Sequence, residues 1–412
     1  VSLFHPDNPN PNAQAASADL AGPQNSAVCT GLSGNEFYCI AMAGYMPGNI
    51  LMGNTVYSLG YIGGMLSNVH VTLGGEIPQF TNMISEGRRL SIKRFEEELV
   101  AANGKGAAGV TSEIIFHPGN IEFLSIGSSL FSRKAVQPGQ AMTTAADGQE
   151  LFCQIDAGFA PIRLVFGNVA YSIGVGRNLL GSLRQLAHGE VRQYSDLFNT
   201  TRNLALQRIT DEAKQLNANA VVGIKTTILP ISTTRVQEMI MIGTASYNQQ
   251  LASVAQQSSG VVTSDLTSEE MWNVMKLGYA PLRLVLGTSI YSLGVASGIK
   301  AALRGIAKGE INALSQLVYG AREQSLKKVQ DQAKAVGADM VLGIKTYIYQ
   351  LEGDLIEFLA IGTAVKRMDG IGPRSAQLPP QAIIRDKDTF VNVADTRFGT
   401  DLAHESSTVN VN

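Results

Sequence analysis

Between Pro161 and Gly167 the chain reads Pro-Ile-Arg-Leu-Val-Phe-Gly, and Val169 to Ile173 continues the run after a Gly-Asn break. This β-rich alternation predicts a strand with one face buried. Asn178 to His188, ended by Gly189, predicts a short helix. From about Val191 to Leu216 the period becomes that of a long helix, with Ala205, Ile209, Ala213 and Leu216 on one face. Ala220 to Ile224 predicts a buried strand, and Val236 to Ala245 its antiparallel partner. The order is strand, helices, strand, strand.

That succession occurs three times. Gly44, Gly158 and Gly278 are followed at one offset by Tyr57, Tyr171 and Tyr291, then by Gly60, Gly174 and Gly294. The pairs Gly75-Glu76, Gly189-Glu190 and Gly309-Glu310 come next, then Arg88, Arg202 and Arg322, then Gly109, Gly223 and Gly343. Each copy closes on Ile-Gly, at Gly127, Gly243 and Gly362. The helix stripe recurs as Ser91, Phe95, Leu99 and Ala102 in copy one and as Ser325, Val329, Ala333 and Val336 in copy three. Its small-to-medium side chains suit close packing on a sheet. The expected fold is α+β: three tandem units at 36–129, 150–246 and 270–365, each a long helix on a mostly antiparallel sheet. An irregular arm (1–35), two polar linkers (130–149 and 247–269) and an irregular tail (366–412) complete the chain. In the tail, Phe390, Val391 and Val393 offer a short apolar strand. β-rich sheet edges of this kind are most simply completed by another copy.

Composition narrows the function. Charged residues make up 16% of the chain and the formal charge is −2, against about 25% charged in ordinary soluble domains. A surface so poor in charge points to repeats that lie against neighbouring subunits. The near-neutral balance argues against nucleic acid as a partner. The basic residues of copy three are interleaved with Glu310, Glu323 and Asp331, as on a solvated helix face. Three cysteines make no disulfide framework. Cys39 and Cys153 are equivalent, with Asn273 in copy three, and separate folded copies are expected to keep them apart. They read as small hydrophobes in a reducing compartment. No apolar run approaches a membrane span and no signal pattern opens the chain, so a cytoplasmic setting is expected.

The recurring motifs resemble a known family. Copy three carries Ala321-Arg322, the run Gly337-Ala338-Asp339-Met340-Val341-Leu342-Gly343-Ile344, and Ile361-Gly362-Thr363-Ala364-Val365. Copy two keeps Ala218-Asn219-Ala220-Val221-Val222-Gly223-Ile224 and Ile242-Gly243-Thr244-Ala245, whereas copy one has drifted to Gly106-Ala107-Ala108-Gly109-Val110 and Ile126-Gly127-Ser128-Ser129. These stretches are similar to the YbjQ-like family, also labelled "putative heavy-metal-binding". The resemblance implies a dodecin-like unit that assembles into pentameric rings through its sheets. It also raises a metal ion as a ligand. Three fused copies depart from the single-domain rule of that family.

The candidate chemistry is sparse. The histidines His5, His70, His117, His188 and His404 occupy no equivalent positions, and no Cys-x-x-Cys occurs. A site shared across subunits could draw on Cys39, Cys153, His70 or His188. The shared charged residues are Glu76, Glu190 and Glu310 with Arg88, Arg202 and Arg322. Such a set could bind an anion or move a proton. The favoured reading is structural: a carboxylate beside a helix start and an interface or carbonyl-capping arginine. The Gly174/Gly176/Gly181 and Gly104-Lys105-Gly106 stretches lack phosphate-loop spacing, and no Ser-His-Asp or Cys-His set repeats. Tyr57, Tyr171 and Tyr291 read as strand residues packed beside glycines.

The expectation is therefore a non-enzymatic, self-assembling protein without a cofactor, its partner a further copy of itself. The alternative is a binder of a metal ion or small ligand at subunit interfaces. Copy one, the most divergent, is expected to cap the array or make a distinct contact, and copies two and three to share closely similar environments.

Overall fold

The computed structural model describes residues 27–58, 75–132, 141–172, 189–231, 236–257, 259–292, 312–351 and 355–384. They divide into two compact units, one drawn from residues 1–64, 84–164 and 373–412, the other from 65–83 and 165–372.

Each copy opens on a short helix. These are α1 (Gly34–Met42), α3 (Gly148–Asp156) and α6 (Ser268–Lys276). Ser33, Asp147 and Thr267 cap them, and Glu36, Glu150 and Glu270 bond back to the capping residue. Two otherwise unpaired backbone donors are satisfied at each start. Gly44, Gly158 and Gly278 follow the helix ends with φ of +88°, +88° and +77°, left-handed values that glycine adopts at least cost.

A long first strand follows: β1 (Tyr45–Ser58), β6 (Ala160–Ser172) and β11 (Tyr279–Ser292). The Gly-Asn break expected after Phe166 is absent, because β6 runs through it. Gly53, Gly167 and Gly287 are there for another reason. A Cβ on each would lie 2.2, 2.0 and 2.2 Å from a carbonyl oxygen of the copy's own long helix, at Ser91, Ala205 and Ser325. Those helices are α2 (Pro78–Ala101), α4 (Arg192–Gln215) and α7 (Asn312–Ala335). The stripe residues Phe95, Leu99, Ala205, Ile209, Ala213, Val329 and Ala333 are all buried. The short helix expected over 178–188 lies outside the described residues.

The hairpins are β3 (Gly106–His117) with β4 (Asn120–Ser132), β8 (Ala220–Ile231) with β9 (Val236–Tyr247), and β12 (Met340–Gln350) with β13 (Leu355–Arg367). All three are antiparallel, and each breaks register beside Gly109, Gly223 or Gly343. Those glycines have φ of +62°, +62° and +64°, the left-handed conformation of a bulge.

Two-residue strands join the copies: β2 (Gly75–Glu76), β5 (Met142–Thr143), β7 (Gly189–Glu190) and β10 (Val262–Thr263). The three sheets have the orders β1-β4-β3-β5, β10-β8-β9-β6-β2 and β12-β13-β11-β7. Each is centred on a middle–last–first trio of one copy. The extra edge strands come from the neighbouring copies.

The stretches expected to be irregular contribute to the core. Leu32 is buried with Ile40, Ala108, Leu130 and Leu151, so the end of the expected arm packs into the first unit, while Val28 stays exposed. In the second linker, α5 (Ala252–Gln257) precedes β10, and Leu251 and Val254 are buried. In the tail, Ser375 bonds Asp156 at 2.7 Å, and α8 (Pro380–Ile383) packs on α1 and α3. Residues 390–393, the expected apolar strand, lie outside the described residues.

Replacing Gly53, Gly167 or Gly287 by alanine should push the long helix off its sheet, at a cost of about 1–3 kcal/mol each. Denaturant midpoints read this directly. Gly34→Ala, where a Cβ meets nothing within 4 Å, should leave the midpoint unchanged.

Candidate functional site

The shared carboxylates and arginines do not form the pair that their spacing in each copy invites. Glu76 sits on β2, ahead of the helix, and its carboxylate accepts from Arg208 of the next copy at 2.7 Å. Glu190 stands in the same relation to Lys328 of copy three, at 3.4 Å. Arg208 and Lys328 each also cap a carbonyl of their own first strand, at Asn168 and Thr288 (both 2.7 Å). Arg94, their equivalent in copy one, donates to Asn54 O. Glu310 lies outside the described residues.

Arg202 holds the densest polar contact. Its Nε and Nη2 donate to the two carboxylate oxygens of Glu357 on β13, at 3.1 and 2.7 Å. Both side chains are fully buried. The guanidinium lies 4.3 Å from the centre of the Tyr171 ring, and Tyr171 meets Phe198 edge-on. A desolvated cation gains from both the aromatic face and the bidentate carboxylate, although Arg202 Nη1 has no hydrogen-bond partner among the described residues. Burial works against the charge of Arg202, but the adjacent Glu357 carboxylate prevails and holds the guanidinium above its usual range. Burial likewise pushes the phenol of Tyr171 above the usual tyrosine range, and pushes Tyr349 up to about 12. All three keep their protonated forms at neutral pH. Tyr171 packs its ring against the cation, and its hydroxyl donates to Gln237 Oε1 at 2.7 Å.

Glu357 was not among the residues the sequence reading singled out. Its signal was present: Glu122, Glu238 and Glu357 each stand five residues before the glycine of Ile-Gly. Glu238 is fully buried and accepts from Asn168 at 3.1 Å. Glu122 accepts from Asn54 at 3.0 Å and from His117 at 2.7 Å.

The arginines separate by place in the chain. Arg88 and Arg202 are fully buried, Arg88 donating to the Ser112 carbonyl at 2.5 Å and to its hydroxyl at 3.1 Å. Arg322 is exposed. Ile224 is 2% exposed and its equivalent Ile344 45%. Copies two and three therefore do not share similar environments, contrary to the expectation from their sequences. Among the described residues, no further repeat covers these positions of copy three.

Further contacts between copies are backbone-mediated. Thr81 Oγ1 accepts the N–H of Ala170, and Ser195 Oγ that of Ile290, each at 2.9 Å. β2 pairs with β6, and β7 with β11, through Tyr171-Ser172 and Tyr291-Ser292. The leading segment of copy three is fixed by Asp265. Its carboxylate accepts from Thr363 Oγ1 at 2.6 Å, and Lys345 Nζ donates to its carbonyl at 2.8 Å. Burial pushes the Asp265 carboxyl above the usual range, against the opposing pull of Thr363 and Lys345.

Among the described residues no three His, Cys, Asp or Glu converge to hold a metal ion. His117 is bound to Glu122, and His5, His70, His188 and His404 lie outside the described residues. Cys39 and Cys153 are buried free thiols. The helices that carry them, α1 and α3, pack together in one unit, so the expectation that separate copies keep these thiols apart started from a wrong premise. The described donor set does not fit a resident metal. Gly104-Lys105-Gly106 is a helix-to-strand turn, in which a Cβ on Gly106 would meet Met142 at 2.7 Å. No described helix is long and apolar enough to cross a membrane.

What these residues build is an interface between repeats, and comparison with known proteins agrees on the repeat. The family described as "Putative heavy-metal-binding" matches residues 160–249 and 277–368. A UPF0145 protein of Vibrio campbellii is 39% identical over 82 residues, 20% of this chain and 78% of that protein. One from Saccharolobus solfataricus is 43% identical over 82 residues, 20% of this chain and 71% of that protein. The chain belongs to the UPF0145 family, with two copies of its domain. An encapsulin nanocompartment protein of Mycobacterium tuberculosis is 29% identical over 205 residues, 47% of this chain and 75% of that protein.

Arg202→Met should cost about 3–5 kcal/mol, because it leaves the Glu357 carboxylate buried and unpaired. Arg202→Met with Glu357→Leu should recover most of that loss, and a double-mutant cycle by chemical denaturation measures both. Glu122 titrates below the usual glutamate range, held there first by the Asn54 bond and then by His117. Its contribution is therefore full above the ordinary value of about 4.3 and is lost as pH falls through the lower folded-state value. Glu122→Gln should flatten the acid limb of the stability–pH curve.

Proposed function

We propose that the chain is a non-enzymatic structural protein of three UPF0145-type, dodecin-like repeats that assembles with itself into ring-based homo-oligomers. In this reading residues 36–129 are the third, divergent repeat. The observation that carries it is the contact within the chain, where each repeat completes the sheet of its neighbour and seals a buried polar residue against it. A surface built to be covered by the next repeat is an assembly surface. The encapsulin name of the Mycobacterium relative supports a shell-forming role.

The contact also bears on ring order. Consecutive repeats of one chain occupy neighbouring places, so either five chains contribute one ring per repeat, giving three stacked rings, or the fused repeats close a ring of another order. Buried free thiols at Cys39 and Cys153 suit a reducing, cytoplasmic setting.

Sedimentation or light scattering at micromolar concentration tests the proposal. The expected result is a discrete mass at a multiple of 43.9 kDa, and a stable single chain would refute it. The second reading, a metal-ion or small-ligand binder, draws on the family description. Elemental analysis of purified protein decides it, since stoichiometric bound metal would promote that reading.

A further inference from the structure

The two contacts between copies leave matching halves of a third on copies one and three, at edges that no described repeat covers. In each, the leading strand of one copy lies parallel to the middle strand of the copy before it. β5 pairs with β3 through Met142–Gly106 and Thr143–Ala107, and β10 with β8 through Val262–Ala220 and Thr263–Val221. Copy one has the same leading segment, seated in the same way. Gly31 N–H donates to Ser128 Oγ at 3.0 Å, as Asp265 N–H donates to Thr363 Oγ1 at 3.0 Å. Ile50 N–H donates to the Cys29 carbonyl at 2.7 Å, where Leu164 and Leu284 donate to the hydroxyls of Thr143 and Thr263. Val28 and Cys29 thus stand where Met142-Thr143 and Val262-Thr263 stand. Among the described residues, no preceding middle strand pairs with them. On copy three β12 opens with Met340-Val341, the equivalents of Ala220-Val221, and its outer edge is likewise unpaired among the described residues.

Exposure follows the same logic. Met340 is 40% exposed where Ala220 is fully buried. On copy one, Met52 and Val56 are 56% and 54% exposed, while their equivalents Phe166, Leu286, Ala170 and Ile290 are at most 2% exposed. Ser315 is exposed, where Ser195 caps the N–H of Ile290. The guanidinium of Arg322 has no partner among the described residues, where Arg202 is sealed against Glu357. Glu122, the equivalent of Glu357, keeps 17% of its side chain exposed.

We infer that these edges are two halves of one interface whose occupant is a second copy of this chain, docked head to tail. Val28-Cys29 of one chain extends the sheet edge at Met340-Val341 of the next, and Arg322 of that next chain pairs with Glu122 of the first. The inference rests on the self-assembly proposed above and adds which surfaces meet. Its warrant is continuity, since the chain makes the same parallel strand pairing twice between its own copies and the arginine–glutamate pair once, at Arg202 and Glu357. The contact joins unlike surfaces, so repetition closes a ring or extends a filament.

The test uses the full chain with Val28→Cys and Met340→Cys in a Cys29→Ser background. The equivalent pairs are directly opposed in register, the separation a disulfide spans. Mild oxidation should produce covalent dimers and higher multiples that reductant reverses, and neither single variant should produce them. Arg322→Glu, at an exposed position where folding is not at stake, should weaken association at least tenfold by sedimentation. An assembled protein with no interchain cross-link, with a disulfide closed inside one chain, or with association indifferent to Arg322→Glu would overturn this interface and leave self-assembly standing. A wild-type protein that remains a single chain would overturn both.

Discussion

One repeat of this chain cannot seal its own helix. The first turns of α4 lie over β11 of the next copy, and Arg202, on that face, is removed from water. A buried guanidinium without a counter-charge is prohibitive, and the counter-charge here belongs to copy three. Tyr171 closes one face of the cation from its own copy, and Glu357 closes the edge from the neighbour. The division of labour couples the two copies: neither presents a satisfied surface without the other. The short strands, the hydroxyls of Thr81 and Ser195 and the cations Arg208 and Lys328 extend that dependence over the remaining backbone and side-chain groups of the contact.

Much of the fold was legible because its causes are local. The stripe Ala205, Ile209, Ala213 shows helix period, and the apolar hairpins show strand period. Gly109, Gly223 and Gly343 mark bulges whose left-handed backbone glycine accepts most readily. Other causes are not local. Gly167 looked like a break in a strand, yet it answers to the carbonyl of Ala205, a constraint that exists only once the helix is in place. Leu32 looked like part of a polar arm because its neighbours are Ser, Gly and Asn, but the capping box at Ser33 and Glu36 turns that stretch into a helix start.

The candidate site was half legible for a related reason. Glu76 and Arg88 recur at fixed spacing, which invites pairing within a copy, but spacing along the chain does not say which copy a side chain faces. The carboxylates pair across copies, Glu76 with Arg208 and Glu190 with Lys328. The decisive acid, Glu357, sits in a hairpin whose loop length varies, so its recurrence appears only when counted back from Ile-Gly.

Copy one satisfies the matching carboxylate by another route, at an edge that no described repeat covers. Its Glu122 occupies the position of the sealed Glu357 but meets no described arginine. Asn54 keeps the bond that Asn168 makes to Glu238, and His117 takes the second carboxylate oxygen. Copies two and three have Ile231 and Leu351 at the position of His117, so this donor is specific to copy one. A histidine can satisfy a half-exposed carboxylate and yield it, at small cost, to a stronger bidentate donor. The divergence of copy one thus lies less in its helix stripe, which is buried like the others, than in a polar substitution at an edge that no described repeat covers.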